Sequence, residues 1–457
     1  MARFNKYEEF LSWLYNLKRF GMTKGIDNIK VLAEAFQNIH NELKAILVTG
    51  SGGKGSTVAM LSKILEKSNY KVGTFIKPHL HRYTERISIN SKEINEEELI
   101  EIANKVYNKI EEIKMKREYY PTFFEVTTMI SMLYFYENNV DICVYEIGIG
   151  GRYDAVNILD PMVSCLTRVY LEHTDILGNT VEEIAWNKVG IARNDRFLIT
   201  GENDERCLRV INDECSKINC AVLRVGKEKF NDIIYKPIVS NLKENKFNYF
   251  GLFDEYRNLE VSLKGEHQQL NSSIAIACCE ILNNLGYKIP EGAIREALKE
   301  VKWPGRFEIF NNDGFLVILD AAKDPCAMNT LVEFLIKNDL KDLIVVISIS
   351  NDKDYKNMLF ELLKVSNNFV LTKHKVMERA IQPEKLKDAL EIIKKDVRCY
   401  IVNDVKKATK FAFELSKKEK PILITGSVFT VAEAREMFVN ERTDPLFVSD
   451  PRFINVK

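Results

Sequence analysis

Two periodicities of apolar residues alternate along most of the chain. Short apolar runs rich in β-branched residues, which are typical of buried strands, occupy residues 72–76, 142–146, 163–167 and 197–200. Between them, apolar residues recur every three or four positions, which predicts amphipathic helices such as residues 181–191. The alternation of strand and helix predicts a mostly parallel sheet with helices on both faces.

The helical pattern fades over residues 231–263 into short β-like pieces and then returns. Lys302-Trp-Pro-Gly-Arg306 is predicted to be a linker, because proline and glycine stop a helix before a new strand begins. The tail from Thr443 has two Asp-Pro steps and is predicted to be an irregular arm on the surface. A second alternation lies between linker and tail, with predicted strands at 316–319, 343–347, 369–372, 399–402 and 422–424.

A glycine cluster stands where the first apolar run meets its helix, in Ile46-Leu-Val-Thr-Gly-Ser-Gly-Gly-Lys-Gly-Ser-Thr57. Glycines let successive backbone N–H groups turn toward one anion, the helix N-terminus adds positive potential, and Lys54 adds a full charge. A nucleotide triphosphate is therefore the expected ligand. Gly55 separates Lys54 from Ser56, which departs from the standard spacing, so a glycine-rich turn before an ordinary helix stays an alternative.

These patterns predict an α/β protein of two domains. Residues 1–302 would form an N-terminal P-loop-type domain with a mostly parallel sheet, and residues 303–457 a Rossmann-like C-terminal α/β domain. A length of 457 residues agrees with two domains, or three.

Composition narrows the function classes. The net charge is zero and no apolar run is long enough to span a bilayer, so neither nucleic acid nor a membrane is expected as the main partner. The nine cysteines include no Cys-x-x-Cys pair, and several lie in apolar runs. Reduced thiols in a cytoplasmic protein are therefore expected in place of disulfides or zinc.

Three polar residues follow predicted strands and are candidates for chemistry. Lys54, Glu146 and His173 should meet at the carboxyl edge of one sheet, where open α/β folds bind ligands. A carboxylate and an imidazole beside a phosphate loop suit a divalent cation, most simply magnesium. Taken alone, His173 could equally be a capping or core histidine, and Lys188 an exposed lysine.

The ordered motifs then resemble those of the folylpolyglutamate synthase and dihydrofolate synthase family, within the Mur ligase superfamily. The resemblance extends from Val48 to about Phe438. Its motifs are the loop 49–57, Pro78-His-Leu, Glu85-Arg-Ile, Thr122-Phe-Phe-Glu, the run from Glu146 to Asn157, His173, Leu177-Gly-Asn-Thr, Lys188-Val-Gly-Ile, Gly265-Glu-His-Gln, Asn271, Trp303-Pro-Gly-Arg, Asp352-Lys-Asp, Arg379-Ala and Thr425-Gly-Ser.

This resemblance implies an ATP-dependent amide ligase that works through an acyl phosphate. It implies that magnesium is held by Glu146 and His173, and by Lys188 as a carbamate. The catalytic residues would be Lys54, His173 and Lys188. The remaining implied sites are Gly53, Lys54, Gly55, Ser56, Asn271, Arg306 and Asp320 for ATP, Thr122, Phe123, Phe124, Glu125, Tyr153, Asp154 and Ala155 for the pterin end of the acceptor, and Lys323 and Ser427 for the amino acid.

Departures from the family's motifs cluster at these same positions. Lys77 replaces a serine that contributes a magnesium ligand in the family, and a protonated ammonium cannot ligate a cation. Lys323 and Asp324 replace histidine and asparagine, and Asp324 would repel a carboxylate substrate. Gly52 stands where asparagine is usual, and Val156 where threonine is. In Ser427-Val-Phe a tyrosine hydroxyl is lost.

The favoured hypothesis is a ligase that joins an amino acid, glutamate by default, to a pterin-type acid. A related ligase with another acyl acceptor or amino acid is the first alternative, motivated by Lys77 and Lys323. An inactive nucleotide- or folate-binding protein is the second, and retention of Lys54, Glu146 and His173 argues against it. A monomer is expected.

Overall fold

The computed structural model describes residues 3–17, 25–375, 380–441 and 443–444. The Arg379-Ala motif and the tail beyond Asp444 were included in the sequence analysis, but Arg379 and residues 445–457 lie outside the described residues. The described chain forms two α/β units, each built on its own sheet, which confirms the predicted two-domain fold. The placement of the domain boundary between residues 302 and 303 stays a prediction.

The first unit contains an eleven-stranded sheet in the order β11-β10-β9-β8-β7-β6-β1-β5-β2-β3-β4. The central pairs from β2 to β9 are parallel. The strands are β1 (Ala45–Thr49), β2 (Val72–Phe75), β3 (Ile87–Ile89), β4 (Lys92–Glu93), β5 (Ile142–Glu146), β6 (Pro161–Leu166), β7 (Phe197–Thr200), β8 (Ala221–Gly226), β9 (Ile233–Ser240), β10 (Asn245–Phe250) and β11 (Glu255–Glu260).

Helices cover both faces of this sheet. They are α1 (Tyr7–Tyr15), α2 (Asp27–Ala35), α3 (Lys54–Lys67), α4 (Glu96–Lys114), α5 (Phe123–Glu137), α6 (Thr174–Leu177), α7 (Val181–Val189), α8 (Glu205–Ser216), α9 (His267–Asn284) and α10 (Glu291–Glu300), with 3₁₀ turns at Ile39–Glu42, Tyr83–Arg86 and Ala155–Ile158.

Alternation along β1 explains the two layers. Ala45 and Leu47 point into the core that α1, α2, α4, α5, α7 and α8 cover, while Ile46 and Val48 point into the core of α3, α9 and α10. Successive side chains of a strand point to opposite faces. Because both faces of the central strands are buried, their sequences read as continuous apolar runs.

The edges of the first sheet are antiparallel, which the sequence analysis did not predict. Strands β9, β10 and β11 form an antiparallel extension at one edge, and β3 and β4 form a hairpin beside β2 at the other. The region expected to hold short β-like pieces is thus an ordered part of the same sheet. Alternating burial along β10 leaves one face in solvent, and this weakens the apolar signal in the sequence.

The second unit has a six-stranded sheet in the order β12-β13-β17-β14-β15-β16, parallel except for β12. Its elements are β12 (Glu308–Asn312), β13 (Phe315–Leu319), α11 (Pro325–Lys337), β14 (Ile344–Ile347), α12 (Tyr355–Leu362), β15 (Asn368–Leu371), α13 (Pro383–Ile393), β16 (Arg398–Ile401), α14 (Val405–Ser416), β17 (Ile422–Thr425) and α15 (Val428–Arg435).

A polar contact at the start of the tail joins the two units. The buried Asp444 carboxylate accepts hydrogen bonds from Tyr7 Oη at 2.8 Å and from the Tyr83 N–H at 2.7 Å. Arg435 of α15 reaches His81, with 3.2 Å between Nη1 and Nε2. The tail was predicted to lie on the surface, and its described end at Asp444 is instead buried against the first unit.

Candidate active site

The predicted phosphate loop leaves β1 and opens directly into α3. Gly53 is left-handed at φ 85°, and a Cβ at this position would come within 2.4 Å of Asn271 Oδ1. A Cβ at Gly55 would meet the Trp303 ring at 2.8 Å. Only glycine fits both positions, and the first helical N–H groups stay open toward an anion. Lys54 Nζ folds back to donate to Gly50 O at 2.6 Å.

Lys188 lies beneath this loop and is 1% exposed. Its Nζ donates to Gly50 O at 2.9 Å and to Glu172 Oε1 at 2.7 Å. Burial lowers the pKa of Lys188 to about 8 although Glu172 opposes this. Burial also disfavours the charged form of Glu172, but attraction by Lys188 and Lys54 lowers the pKa of its carboxyl to about 2. The two groups form a buried ion pair.

Glu146 is the last residue of β5, and His173 follows β6; these are the two strands beside β1. The Glu146 carboxylate is 4% exposed and accepts the Lys77 N–H at 3.0 Å. Burial raises its pKa. His173 has φ 47°, in the left-handed region that costs a non-glycine residue free energy and often marks a functional position. Burial, with nearby lysines, lowers its pKa to about 3, so its imidazole is neutral.

The second unit and α9 bring further residues predicted to bind ATP. Asn271 Nδ2 donates to Gln268 Oε1 at 3.0 Å beside the loop. Asp320 is fixed by the N–H groups of Phe307 and Ala322 at 2.9 and 2.8 Å. Burial raises the pKa of Asp320, and the Arg306 guanidinium opposes that rise.

Lys77 fills the space beyond β2. Its Nζ lies 3.3 Å from Asp154 Oδ1, 5.0 Å from the Phe124 ring centroid and 5.2 Å from that of Phe75. Burial lowers the pKa of Lys77, and Asp154 opposes this. The backbone N–H of Lys77, and not its ammonium, binds the Glu146 carboxylate.

Only Phe124, from the first predicted acceptor segment, lines the cleft between the units. Thr122 and Glu125 form a capping box at the start of α5, where Thr122 Oγ1 accepts the Glu125 N–H and Glu125 Oε2 accepts the Thr122 N–H. Phe123 is buried, with the Arg86 guanidinium 5.2 Å from its ring centroid. The structure therefore places these three behind Phe124.

The second predicted acceptor segment, Tyr153 to Ala155, lies outside the cleft. Tyr153 is 49% exposed and lies beside Trp186, with 6.4 Å between ring centroids. Ala155 is buried at the start of a 3₁₀ turn, and Asp154 caps that turn by accepting the Val156 N–H at 3.0 Å. None of Tyr153, Asp154 and Ala155 lines the cleft.

The two residues predicted to bind the amino acid, Lys323 and Ser427, line the cleft from the second unit. Burial, together with Lys54 and Lys353, lowers the pKa of Lys323 to about 8. Ser427 caps α15 by accepting the Phe429 N–H at 3.2 Å. Asp324, which was expected to repel a carboxylate substrate, also lines the cleft. Its Oδ1 caps α11 at the Ala327 N–H at 2.8 Å, and its Oδ2 lies 3.4 Å from Tyr170 Oη.

A cleft of about 780 Å³ between the units brings most predicted residues together. Members of both units line it, and Lys188 lies just behind it. The predicted residues on its walls are Gly53, Lys54, Gly55, Ser56, Phe124, Glu146, His173, Asn271, Arg306, Asp320, Lys323 and Ser427.

The donor set fits one magnesium ion shared with phosphate oxygens. Glu146 supplies a carboxylate and His173 a neutral imidazole, and magnesium usually takes one or two protein ligands beside phosphate and water. Within the described ranges no cluster of three or more His, Cys, Asp or Glu residues forms a protein-only metal cage.

Three residues were missed by the sequence analysis. Glu172 pairs with Lys188, Tyr170 contacts Asp324, and Lys353 adds positive charge near Lys323. Glu172 had a usable signal, because it directly precedes His173 after a buried strand. Lys353 lies in the Asp352-Lys-Asp motif but was given no role there, and Tyr170 had no signal, since its contact joins segments far apart in sequence. Among the described residues, no helix is both long and apolar enough to cross a bilayer.

A two-domain α/β protein with a phosphate loop, a carboxylate, an imidazole and cations from both domains in one cleft has the architecture of an ATP-dependent ligase. Residues 48–279 match the Mur ligase middle domain and residues 305–428 the Mur ligase, glutamate ligase domain.

Individual relatives agree with this. The dihydrofolate synthase/folylpolyglutamate synthase of Bacillus subtilis is 30% identical over 95% of this chain and 99% of its own. The folylpolyglutamate synthase structure from Thermotoga maritima is 32% identical, with a TM-score of 0.82, over 95% of this chain and 97% of that one. E. coli FolC in complex with DHPP and ADP is 26% identical, with a TM-score of 0.83, over 95% and 98%. The chain belongs to the Mur ligase family, among its dihydrofolate and folylpolyglutamate synthases.

Proposed function

We propose that the chain joins an amino acid, L-glutamate by default, to a pterin- or folate-type acid through an acyl phosphate. A carboxylate oxygen of the acid attacks the γ-phosphorus of ATP, and ADP leaves. The amine then attacks the acyl carbon, the bond from that carbon to the phosphate oxygen breaks, phosphate leaves, and the nitrogen gives up a proton. The observation that carries this is the convergence of Lys54, Glu146 and Lys323 on one cleft.

The nucleotide would lie across the two units. Lys54 and the N–H groups of Gly53, Gly55 and Ser56 would hold its phosphates, while Asn271, Arg306 and Asp320 would hold the rest. Charge spread over phosphate oxygens needs cations and backbone donors more than a protein nucleophile. Glu146 and His173 would hold magnesium, which would supply positive charge to the phosphates.

Lys188 would carry a carbamate. The lowered pKa supports this, because a larger fraction of the amine is then neutral, the form that reacts with carbon dioxide. A carbamate would place a second anion beside Glu172, and a second magnesium ion would balance the two charges.

The acceptor acid would lie against Phe124, whose ring faces the cleft and can stack on a flat heterocycle. Thr122, Phe123 and Glu125 would fix the start of α5 behind it. Tyr153, Asp154 and Ala155 would shape the neighbouring turn, and Lys323 and Ser427 would receive the amino acid.

Phosphate release from ATP tests this proposal. Purified protein with magnesium would be given dihydropteroate, tetrahydrofolate or no acid, each with glutamate and with a pool of other amino acids. Release that requires a pterin acid and glutamate together would support it. Release that requires another acid or amino acid would favour the related ligase, which Lys77 and Lys323 suggest. No release in any combination would favour the inactive nucleotide- or folate-binding protein.

We further infer a cytoplasmic monomer. The support is the nine free thiols, seven of which are buried, since a chain rich in unpaired cysteines suits a reducing compartment. Size-exclusion chromatography with light scattering would test the oligomeric state.

A further inference from the structure

A buried ammonium faces the acceptor end of the cleft. The Lys77 side chain is 3% exposed and lies among the groups that line this end, beside the face of Phe124. Its Nζ carries three N–H donors. Within the part of the chain that the structure describes, the Asp154 carboxylate is the only acceptor these donors reach, at 3.3 and 3.5 Å.

The Asp154 carboxylate has no capacity left for a ligand. Oδ2 accepts the Gly148 N–H at 2.9 Å and the Ile149 N–H at 3.2 Å, and Oδ1 accepts the Val156 N–H at 3.0 Å. With Lys77 added, its roughly four lone-pair sites are filled. Asp154 also does not line the cleft. Asp154 therefore holds Lys77 in place, and the Lys77 ammonium is the group that can bind the acceptor.

We propose that Lys77 selects the acyl acceptor, favouring an acid whose ring edge presents oxo or carboxylate oxygens over one that presents amino or ring N–H groups. This inference rests on the proposed ligase function and specifies its substrate class. An acid bound at this end of the cleft would bring its ring edge to the spare N–H donors of Lys77, whose Nζ lies over the Phe124 ring at 5.0 Å from the centroid. A buried donor meeting another donor leaves both unsatisfied, which is costly.

Lys77 could instead act as a fixed charge in place of a metal ion, but its geometry argues against this. The ammonium points to Asp154, and only the backbone N–H reaches Glu146. The hydrogen bonds of the Lys77 ammonium are thus made to Asp154 and not to the proposed magnesium ligand.

Direct binding measurements separate these roles. With ADP and magnesium present, calorimetry would measure the affinity for dihydropteroate and for its analogue in which an amino group replaces the pterin oxo group. The variants are Lys77→Ser, the residue usual in the family, and Lys77→Met, which keeps the length without the charge. Lys71→Met is the matched control, because Lys71 stands at the other end of β2 and its Nζ donates to Asn138 O outside the cleft.

The wild-type protein should bind dihydropteroate about tenfold more tightly than the amino analogue, the size expected for one charge-assisted hydrogen bond. Both Lys77 variants should lose that preference while their affinity for ADP stays unchanged, and Lys71→Met should keep it. The preference of the wild-type protein is itself a test, even if a variant fails to fold.

Three outcomes would overturn the inference: a wild-type preference for the amino compound, equal weakening of both acids in the variants, or a change confined to magnesium dependence. If such a result accompanies normal phosphate release with dihydropteroate and glutamate, the proposed function stands and only the role of Lys77 falls. If no acid binds or supports release, both proposals fail.

Discussion

The two ends of the cleft recognise their ligands by different physical means. At the nucleotide end the decisive groups are backbone N–H donors and the missing side chains of Gly53 and Gly55. At the acceptor end they are side chains, with the Lys77 ammonium fixed by Asp154 beside Phe124. The nucleotide end is determined by the path of the backbone, and the acceptor end by the identity of its side chains. A family can therefore keep its mechanism while its acceptor changes.

The largest expected effect comes from removing the Lys54 side-chain charge at the nucleotide end. Lys54→Ala should reduce ATP turnover about a thousandfold, because positioned charge on transferring phosphate is a dominant part of catalysis. Steady-state phosphate release would measure it. Lys63→Ala is the control, since Lys63 lies on the same helix and pairs with Glu66 instead. Normal turnover of Lys54→Ala would contradict the phosphate-loop assignment.

A second test concerns the ion pair beneath the loop. Lys188→Ala should abolish activity that added bicarbonate does not restore. In bicarbonate-free buffer, where Lys188 is the ammonium partner of Glu172, the same change should destabilise the fold by about 3 kcal/mol because Glu172 is left buried and unpaired. Phosphate release and urea unfolding would measure the two effects. Lys188→Arg keeps a charge but forms no carbamate under these conditions, so full activity in Lys188→Arg or Lys188→Ala would end the carbamate proposal.

The same pair predicts how stability depends on pH. The folded pKa of Glu172, about 2, lies below its ordinary value of 4.5. The unfolded chain thus takes up the proton first, and about 3 kcal/mol of stability, present above pH 4.5, is lost as pH falls through about 2. His173 has a folded pKa of about 3, below its ordinary value of 6.5, so it also lowers the stability of the fold as pH falls.

Comparison with Glu172→Gln isolates the contribution of Glu172, since His173 is retained in both proteins. Urea unfolding at about pH 5 and about pH 2.5 should show a steeper loss for the wild-type protein. Equal losses would mean that Glu172 is not paired with Lys188 in solution.

A smaller effect is expected where only the backbone is altered. Gly53→Ala forces φ 85° on alanine and brings a Cβ to 2.4 Å from Asn271 Oδ1. The strain of about 1–2 kcal/mol should weaken ADP binding about tenfold. Gly292→Ala in α10 is the matched control, because a Cβ there meets nothing within 4 Å and should stabilise the helix slightly. Unchanged ADP affinity in Gly53→Ala would show that the loop tolerates a side chain.

The smallest effect should come from Asp324. Asp324→Asn should change stability by less than about 0.5 kcal/mol, since both residues cap a helix N-terminus equally well, whereas Asp324→Ala should cost about 1 kcal/mol. Thermal unfolding of the two variants would measure this. A tenfold gain in glutamate affinity in Asp324→Asn would instead restore the view that Asp324 repels the substrate.

The sequence predicted those features that depend on local pattern. Apolar runs identified the central strands, and the glycine cluster located the phosphate loop at the end of β1. Side-chain pairings between distant segments could not be read in this way. Lys77 was seen as a lost metal ligand, and its pairing with Asp154 depends on the approach of β2 to the turn after β5. Asp324 was expected to act on the substrate, and its further role as the N-cap of α11 was not predicted from the sequence.

Trp303 gives the molecule a built-in optical reporter. The indole belongs to the segment between the two units, and it packs against the first turn of α3 at Gly55. The chain has only two other tryptophans, Trp13 and Trp186. With these two replaced by phenylalanine, the emission of the remaining indole would follow the gap between the units in real time, without any attached dye. The order in which nucleotide and acid close that gap thus becomes a stopped-flow measurement on an almost unaltered protein.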